Sequence, residues 1–202
     1  MEPLTPVEAR VVGCLVEKQR TVPDTYPLTL NALVSACNQT SNRDPILHLA
    51  DGDVVRAIDS LKARGMARIV HPATGSRVTK YRHVLDEALG LDDGPLSVVT
   101  VLLLRGPQTV AELRTRTERL HAFADLDAVE AALESLGELV ERLDRRPGER
   151  EPRWTLLLAP SGHPEPVADG LTVTRTDDRL SALEAEVAEL RSVVDRLRPL
   201  LD

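Results

Sequence analysis

The side chains whose type and spacing could do chemistry in this sequence are polar and basic groups between residues 38 and 82. Amide side chains can bond the edge of adenine, and guanidinium groups can bond guanine or phosphate oxygens. Ammonium groups contact phosphate as point charges. The pattern therefore indicates possible contacts with duplex DNA, with the candidate residues Asn42, Arg43, Arg56, Arg77, Lys80 and Arg82.

Each of these candidates also has a purely structural interpretation. The polar side chains of residues 38–43 could cap helix ends and satisfy the backbone of a turn, and the loop composition favours this role. The bases at 77, 80 and 82, flanked by His71 and His83, could contact phosphates or could form the solvated edge of a hairpin. The sequence leaves these two alternatives open.

Catalytic and metal-binding patterns are absent from the sequence. The five histidines lack the spacing of metal ligands and have no carboxylate arranged around them as in a zinc protease. The sequence also contains no phosphate-binding loop, no dinucleotide-binding glycine pattern and no nucleophile elbow. We therefore expect a protein that is not an enzyme and that uses no cofactor and no metal.

The charge distribution restricts where DNA could be contacted. The formal net charge of −7 argues against one broad nucleic-acid surface. Residues 1–89 carry 11 Lys and Arg against 10 Asp and Glu, a net charge of +1. Residues 90–158 and residues 159–202 each have a net charge of −4. Only the first segment is therefore electrostatically suited to phosphate.

Helix caps and apolar spacing divide the first segment into elements. A capping box begins a first helix at Thr5, and Thr29 caps a second helix. A third helix near 52–64 has an inward face at helical spacing, formed by Val54, Ile58 and Leu61. Residues 66–70 and 77–82 flank a Pro- and Gly-containing turn and predict a β-hairpin. Three helices followed by a hairpin are typical of a winged helix.

The same order repeats in the second segment. Leu96-Ser97 begins an apolar helix, Thr109 caps the next, and a capping box at Asp127 begins a third helix near 127–137. A hairpin follows, with its turn at 146–148. The sequence therefore predicts a mainly α protein with small β-hairpins, built as two winged-helix domains in tandem that span 1–89 and 90–158.

The outward face of each third helix decides which domain could read DNA. In the first domain that face is predicted to consist of Gly52, Arg56, Asp59, Ser60 and Ala63. In the second domain it is predicted to consist of Asp127, Ala131, Glu134, Ser135 and Glu138, which would repel phosphate. One hypothesis is a DNA-associated regulator that contacts DNA through the first domain as a dimer. The alternative is an interaction scaffold whose acidic second domain binds a basic protein partner.

Several motifs resemble the YceH-like family of uncharacterised bacterial proteins. They occupy residues 26–33, 36–45, 76–81, 102–109, 111–114 and 146–151. The resemblance covers roughly residues 4–158 and implies a tandem winged-helix fold. It implies no activity and no functional residues. Arg82-His83-Val84 departs from the family pattern, so the resemblance implies no role for that edge of the hairpin.

The sequence of residues 159–202 predicts a linker followed by a coiled coil. Residues 159–176 are rich in Pro and Gly and form the predicted linker. Residues 177–202 contain an apolar seam at alternating steps of three and four, formed by Leu180, Leu183, Val187, Leu190, Val194 and Leu197. No apolar run reaches membrane-spanning length, and Cys14 and Cys37 lack a CxxC partner, so we expect a cytoplasmic protein without membrane contact.

The heptad seam generates a prediction about assembly. Val187 and Val194 at a positions with leucines at d positions favour two parallel strands, so we expect a homodimer. The alternative is that this short tail folds back on the winged-helix domains. Light scattering of the full chain at tens of micromolar, about the range in which weak complexes form, should give the mass of a dimer. A truncation at Pro160 should give the mass of a monomer. A monomeric mass for both proteins would contradict the prediction.

Overall fold

The computed structural model describes residues 2–70, 78–145 and 148–159. Met1–His163 forms one compact unit. The predicted coiled coil and all but the first residue of the predicted linker lie outside the described residues, and so do all six positions of the seam. The linker, the coiled coil, the dimer and the boundary between residues 89 and 90 stay predictions.

The described part is mainly helical, with seven α-helices and two small antiparallel sheets, and the predicted fold class is confirmed at this level. The first half contains α1 (Pro6–Thr21), β1 (Leu28–Thr29), α2 (Leu30–Cys37), α3 (Asp51–Ala63), β2 (Ala67–Val70), β3 (Lys80–His83) and α4 (Leu85–Leu89). The second half contains α5 (Asp93–Arg105), α6 (Val110–Thr117), α7 (Leu126–Ser135), β4 (Val140–Arg142) and β5 (Trp154–Leu156). Single 3₁₀ turns occupy Pro23–Thr25 and Gly137–Leu139.

Local capping explains where the helices of the first half begin. The Thr5 hydroxyl accepts a hydrogen bond from the Glu8 amide at 3.2 Å, and the Thr5 amide donates to Glu8 Oε2 at 2.7 Å, which confirms the capping box. The Thr29 hydroxyl caps α2 in the same way. The predicted inward face of α3 is also confirmed, since Val54, Ile58 and Leu61 are buried.

A three-stranded sheet closes the first half. Its order is β1-β3-β2, so β3 pairs with both other strands in the antiparallel sense. The β2–β3 hairpin was predicted from the sequence, and β1 was not. A strand of two residues directly before the Thr29 cap has no alternating pattern of its own by which it could be recognised.

The second half repeats the element order of the first, with two corrections to predicted helix starts. α5 begins at Asp93, and Ser97 lies inside it, where its buried hydroxyl donates to the Gly94 carbonyl at 2.6 Å. α7 is capped by Asp125, whose carboxylate accepts from the Ala128 amide at 2.8 Å, and Asp127 lies in the first turn. Both helices were predicted to begin too late in the sequence, because Ser97 and Asp127 are residue types that often cap helices but lie inside the helices here.

A backbone bridge in the second half stands where β1 stands in the first. The Gln108 amide donates to the Trp154 carbonyl at 3.0 Å, and the Trp154 amide donates back at 2.7 Å. Gln108 directly precedes the Thr109 cap, just as Leu28 precedes Thr29. The two halves thus share the placement of a short extended segment against the second strand of the hairpin.

The two halves share one hydrophobic core, in which α1 packs against both α3 and α5. Residues 8–16 of α1 are buried on every side, as is typical of a helix at the centre of a domain. A Cβ atom added to Gly13 would lie 2.9 Å from Leu104 Cδ2 and 3.2 Å from Leu103 Cβ, so α1 approaches α5 closely there. The Leu4 amide also donates to the Leu158 carbonyl at 2.6 Å, which joins the two ends of the described chain.

The close approach of α1 and α5 predicts opposite effects for two glycine-to-alanine substitutions in helices. Gly52→Ala in α3 meets only the Arg56 guanidinium at 3.4 Å, so higher helix propensity should stabilise the protein by up to about 1 kcal/mol. Gly13→Ala pushes α5 away, so we expect it to cost about 1–3 kcal/mol of unfolding free energy. Urea denaturation followed by circular dichroism measures both. Equal stabilisation by the two variants would show that the helices do not meet at Gly13.

Candidate functional site

Three basic side chains share one face of the β2–β3 hairpin. The register pairs Arg68 with Arg82 and Val70 with Lys80, and side chains of every second pair point to the same face. Arg68, Lys80 and Arg82 therefore lie together. Lys80 and Arg82 were predicted as candidates, whereas Arg68 was missed because it stands in an otherwise apolar run. Strand alternation along residues 67–70 is the signal that could have identified it.

The carboxylate of Glu87 in α4 forms ion pairs with two of these bases. Glu87 Oε2 lies 3.0 Å from Arg68 Nη2, and Glu87 Oε1 lies 3.4 Å from Arg82 Nη2. Like charges directly opposite each other destabilise a strand pair, so Glu87 relieves the repulsion between the two guanidinium groups. Residues 66–83 contain four bases and no acid. The hairpin therefore keeps an excess of positive charge.

His83 belongs to the core beneath the hairpin and adds no charge to its basic face. The ring is buried, and Nε2 shares a hydrogen bond with Gln19 Oε1. Burial lowers the pKa of His83 to about 4, although the nearby Asp86 carboxylate acts in the opposite direction. The ring is thus neutral near pH 7. The two other members of the predicted basic cluster, Arg77 and His71, lie outside the described residues.

Arg56 is the exposed candidate on α3, but the charge of this helix is balanced. The Arg56 side chain is 76% exposed, and its Nη2 lies 2.5 Å from Asp53 Oδ1. One turn further along, Lys62 Nζ lies 3.2 Å from Asp59 Oδ1. Ser60, predicted to face solvent, is half-buried. α3 therefore offers DNA little net attraction on its exposed face.

Arg43 is buried, and this overturns its assignment as a DNA-contacting residue. Its side chain is 0% exposed. Nη1 and Nη2 bond the two oxygens of Glu17 at 3.0 and 2.6 Å, and Nε bonds the Ala36 carbonyl at 3.2 Å. Gln39 Oε1 accepts a further bond from Nη2 at 3.0 Å. A guanidinium group enclosed by protein acceptors in this way cannot reach a phosphate.

Asn42 and its neighbours stabilise the loop between α2 and α3. Asn42 is exposed and has a φ of +61°, the left-handed conformation that asparagine tolerates in turns, and its Oδ1 accepts a bond from Arg105. Asn38 forms two hydrogen bonds with the backbone of Leu49, at 2.8 and 2.9 Å. These contacts agree with the structural interpretation of the loop that its composition favoured.

The corresponding helix of the second half, α7, presents carboxylates to solvent. Residues 126–138 contain four acids and no base. The predicted outward positions are confirmed as exposed, namely Asp127, Ala131, Glu134 and Ser135 on α7 and Glu138 in the 3₁₀ turn that follows it. Glu130 is exposed as well. This face repels phosphate and differs in sign from the β2–β3 hairpin.

A groove with a volume of about 390 Å³ lies between α7, the start of α6 and the β4–β5 hairpin. Its apolar lining includes Leu126, which is 45% exposed. Three carboxylates and one base stand around this lining. The lining residues are Val110, Leu126, Glu130, Glu134, Arg142, Glu151, Pro152 and Trp154. Sequence reasoning missed the groove, which brings together side chains more than 40 positions apart.

Within residues 2–70, 78–145 and 148–159, no three side chains of His, Cys, Asp or Glu lie together as metal ligands would. None of the helices there is both long and apolar enough to cross a membrane. Cys14 and Cys37 are buried free thiols.

Comparison with known proteins finds relatives that match nearly the whole chain. Residues 4–149 match the family described as "Protein of unknown function, DUF480". A UPF0502 protein of Dechloromonas aromatica is 47% identical, and the match covers 95% of this chain and 94% of the relative. A UPF0502 protein of Geotalea uraniireducens is 51% identical, and the match covers 96% of each chain.

The buried ion pair of Glu17 and Arg43 generates a stability prediction. Glu17→Gln leaves the Arg43 charge enclosed without a carboxylate, and we expect a loss of about 3–5 kcal/mol of unfolding free energy near pH 7. Asp59→Asn is the matched control, because it breaks an ion pair with Lys62 at the surface and should cost less than about 1 kcal/mol. Denaturant titration of both variants measures the difference, and similar costs would contradict the prediction.

The same pair predicts a dependence of stability on pH. Burial would raise the pKa of Glu17, but the hydrogen bonds and the charge of Arg43 hold it below its usual value. The contribution of the pair is therefore present above the pKa of the unfolded chain, about 4.3. It is lost as the pH falls towards the lower pKa of the folded state. Glu17→Gln should lack this part of the acid-induced loss of stability.

Proposed function

The chain belongs to the DUF480 family of proteins of unknown function, and we propose that it is a non-enzymatic winged-helix protein that contacts duplex DNA through the β2–β3 hairpin. Family membership confirms the relation to an uncharacterised bacterial family that the sequence motifs indicated. The proposal adds what the family description leaves open, namely the kind of ligand and the element that binds it.

The order of elements supports the winged-helix interpretation of both halves. In the first half, α1, β1, α2 and α3 are followed by a hairpin, and β3 lies between β1 and β2. The second half has the same order, with the Gln108 bridge in place of β1. In such domains the third helix enters the major groove and the hairpin lies along the backbone. α3 and α7 are the corresponding helices.

The observation that carries the proposal is the shared basic face of Arg68, Lys80 and Arg82. Basic side chains on a projecting hairpin bind phosphates whatever the base sequence. α3 has a balanced surface charge and adds little that would read bases. The second half contributes an acidic third helix. We therefore expect weak binding that depends on salt and depends little on DNA sequence.

A double substitution on the hairpin tests the proposal. Lys80→Ala with Arg82→Ala removes two phosphate contacts, so affinity for random and defined duplexes should fall alike. The slope of log affinity against log salt should become shallower by roughly 2, about one for each contact removed. Arg119→Ala with Arg150→Ala removes two exposed bases of the second half and should leave both quantities unchanged. Fluorescence anisotropy of labelled duplexes measures affinity and slope.

The comparison of these two double variants also shows what would contradict the proposal. Equal weakening by the control would mean that total charge, and no particular surface, governs binding. An affinity for duplex DNA that is indifferent to salt would exclude phosphate contacts as its source.

An interaction scaffold is the second candidate function, and a specific observation favours it. The acidic third helix of the second half borders an apolar groove, and this combination suits a protein partner better than it suits DNA. The two candidates occupy different halves of the chain and are compatible with each other.

A further inference from the structure

We propose that the groove between α7, the start of α6 and the β4–β5 hairpin binds a basic amphipathic helix of a partner protein. The inference deepens the scaffold role, and it does not depend on DNA binding by the first half. The partner is defined by its chemistry, namely apolar side chains on one stripe with lysine or arginine beside them.

The groove has the dimensions and lining of a binding site. Its volume of about 390 Å³ lies within the roughly 300–1,000 Å³ typical of ligand pockets. Val110, Leu126, Pro152 and Trp154 contribute its apolar part. Leu126 is 45% exposed, although leucine is usually buried. A partner that covered these side chains would remove apolar surface from water.

The charges around the groove determine the sign of the charge that a partner must carry. Glu130, Glu134 and Glu151 stand at the groove against a single base, Arg142. A partner that offers lysine or arginine there would be attracted, whereas a nucleic acid would be repelled. The groove uses the third helix and the hairpin, the elements that carry the DNA contacts of a winged helix, but with the opposite charge.

The spacing along α7 favours a helix as the bound segment. Leu126, Glu130 and Glu134 are separated by four residues each, so they form one row on the helix surface. Side chains on one face of a partner helix are also spaced about four residues apart. An apolar side chain of the partner can therefore contact Leu126 while two basic side chains, each one turn further along, contact Glu130 and Glu134. Trp154 supplies a broad aromatic contact of the kind that dominates binding energy at protein interfaces.

Trp154 is also the only tryptophan of the chain, so its fluorescence reports on this groove alone. The experiment uses the full chain and a synthetic helical peptide of leucine and lysine, about 18 residues long. The peptide contains no aromatic residue. Titration should shift the Trp154 emission to shorter wavelength and saturate. A peptide with glutamate at every lysine position should produce no shift.

Substitutions locate the binding site. Glu130→Gln with Glu134→Gln should weaken peptide binding by about tenfold, because two attractive charge pairs at the rim of the groove are lost. Leu126→Ala should weaken it by a similar factor. Glu118→Gln with Glu138→Gln removes two exposed carboxylates that do not line the groove, and it should leave affinity unchanged. Lys80→Ala with Arg82→Ala on the first-half hairpin should also leave it unchanged.

Several outcomes would overturn the proposal. A Trp154 emission wavelength that stays the same with every peptide would show that the groove does not bind a basic helix. Equal weakening by the Glu118 and Glu138 control would show attraction to the acidic chain as a whole. A spectrum that shifts with protein concentration in the absence of peptide would indicate a second copy of this chain in the groove. A shift caused by duplex DNA would assign the groove to nucleic acid.

Discussion

The first half depends on two guanidinium groups that are buried at the carboxyl end of α2. Arg43 bonds the Ala36 carbonyl, and Arg10 of α1 bonds the Cys37 carbonyl at 3.0 Å. Carbonyl groups at a helix end carry partial negative charge and lack partners within the helix, so cations stabilise them. Glu17 neutralises one of the two charges. These contacts fix α2 against α1, and the second guanidinium also bonds the Pro45 carbonyl at 2.5 Å and so anchors the loop that leads to α3.

This arrangement explains why polar side chains of the loop between α2 and α3 do not form an interface. Their hydrogen bonds hold the loop in the conformation that encloses Arg10 and Arg43. Few of their donors and acceptors are therefore left to bind an external ligand. The surfaces free to bind lie on the hairpins and on the third helices instead. Those surfaces differ in sign between two halves of the same element order, basic on the first hairpin and acidic along α7. One order of elements thus carries two surfaces of opposite charge.

Local rules account for most of what the sequence predicted correctly. The Thr5 capping box, the Thr29 cap and the inward face of α3 depend on neighbours within a few positions, so their residues suffice to recognise them. Such rules do not predict the burial of Arg43, because it depends on Glu17, which is 26 positions away. The groove at Trp154 required three elements to be assembled in space. The start of α7 was misplaced because Asp125 and Asp127 are equally good caps by type, whereas in the structure it is the Asp125 carboxylate that accepts from the Ala128 amide.

The contact between α1 and α5 has a consequence for the newly made chain on the ribosome. α1 leaves the ribosome with side chains on every face suited to burial, but α5 begins at Asp93 and completes its cover only when it has been translated. At about 5–20 residues per second, several seconds pass before that happens. The hydrogen bond between Leu4 and Leu158 closes later still. The side chains that α1 packs against α5 therefore stay uncovered for seconds while the second half is being made.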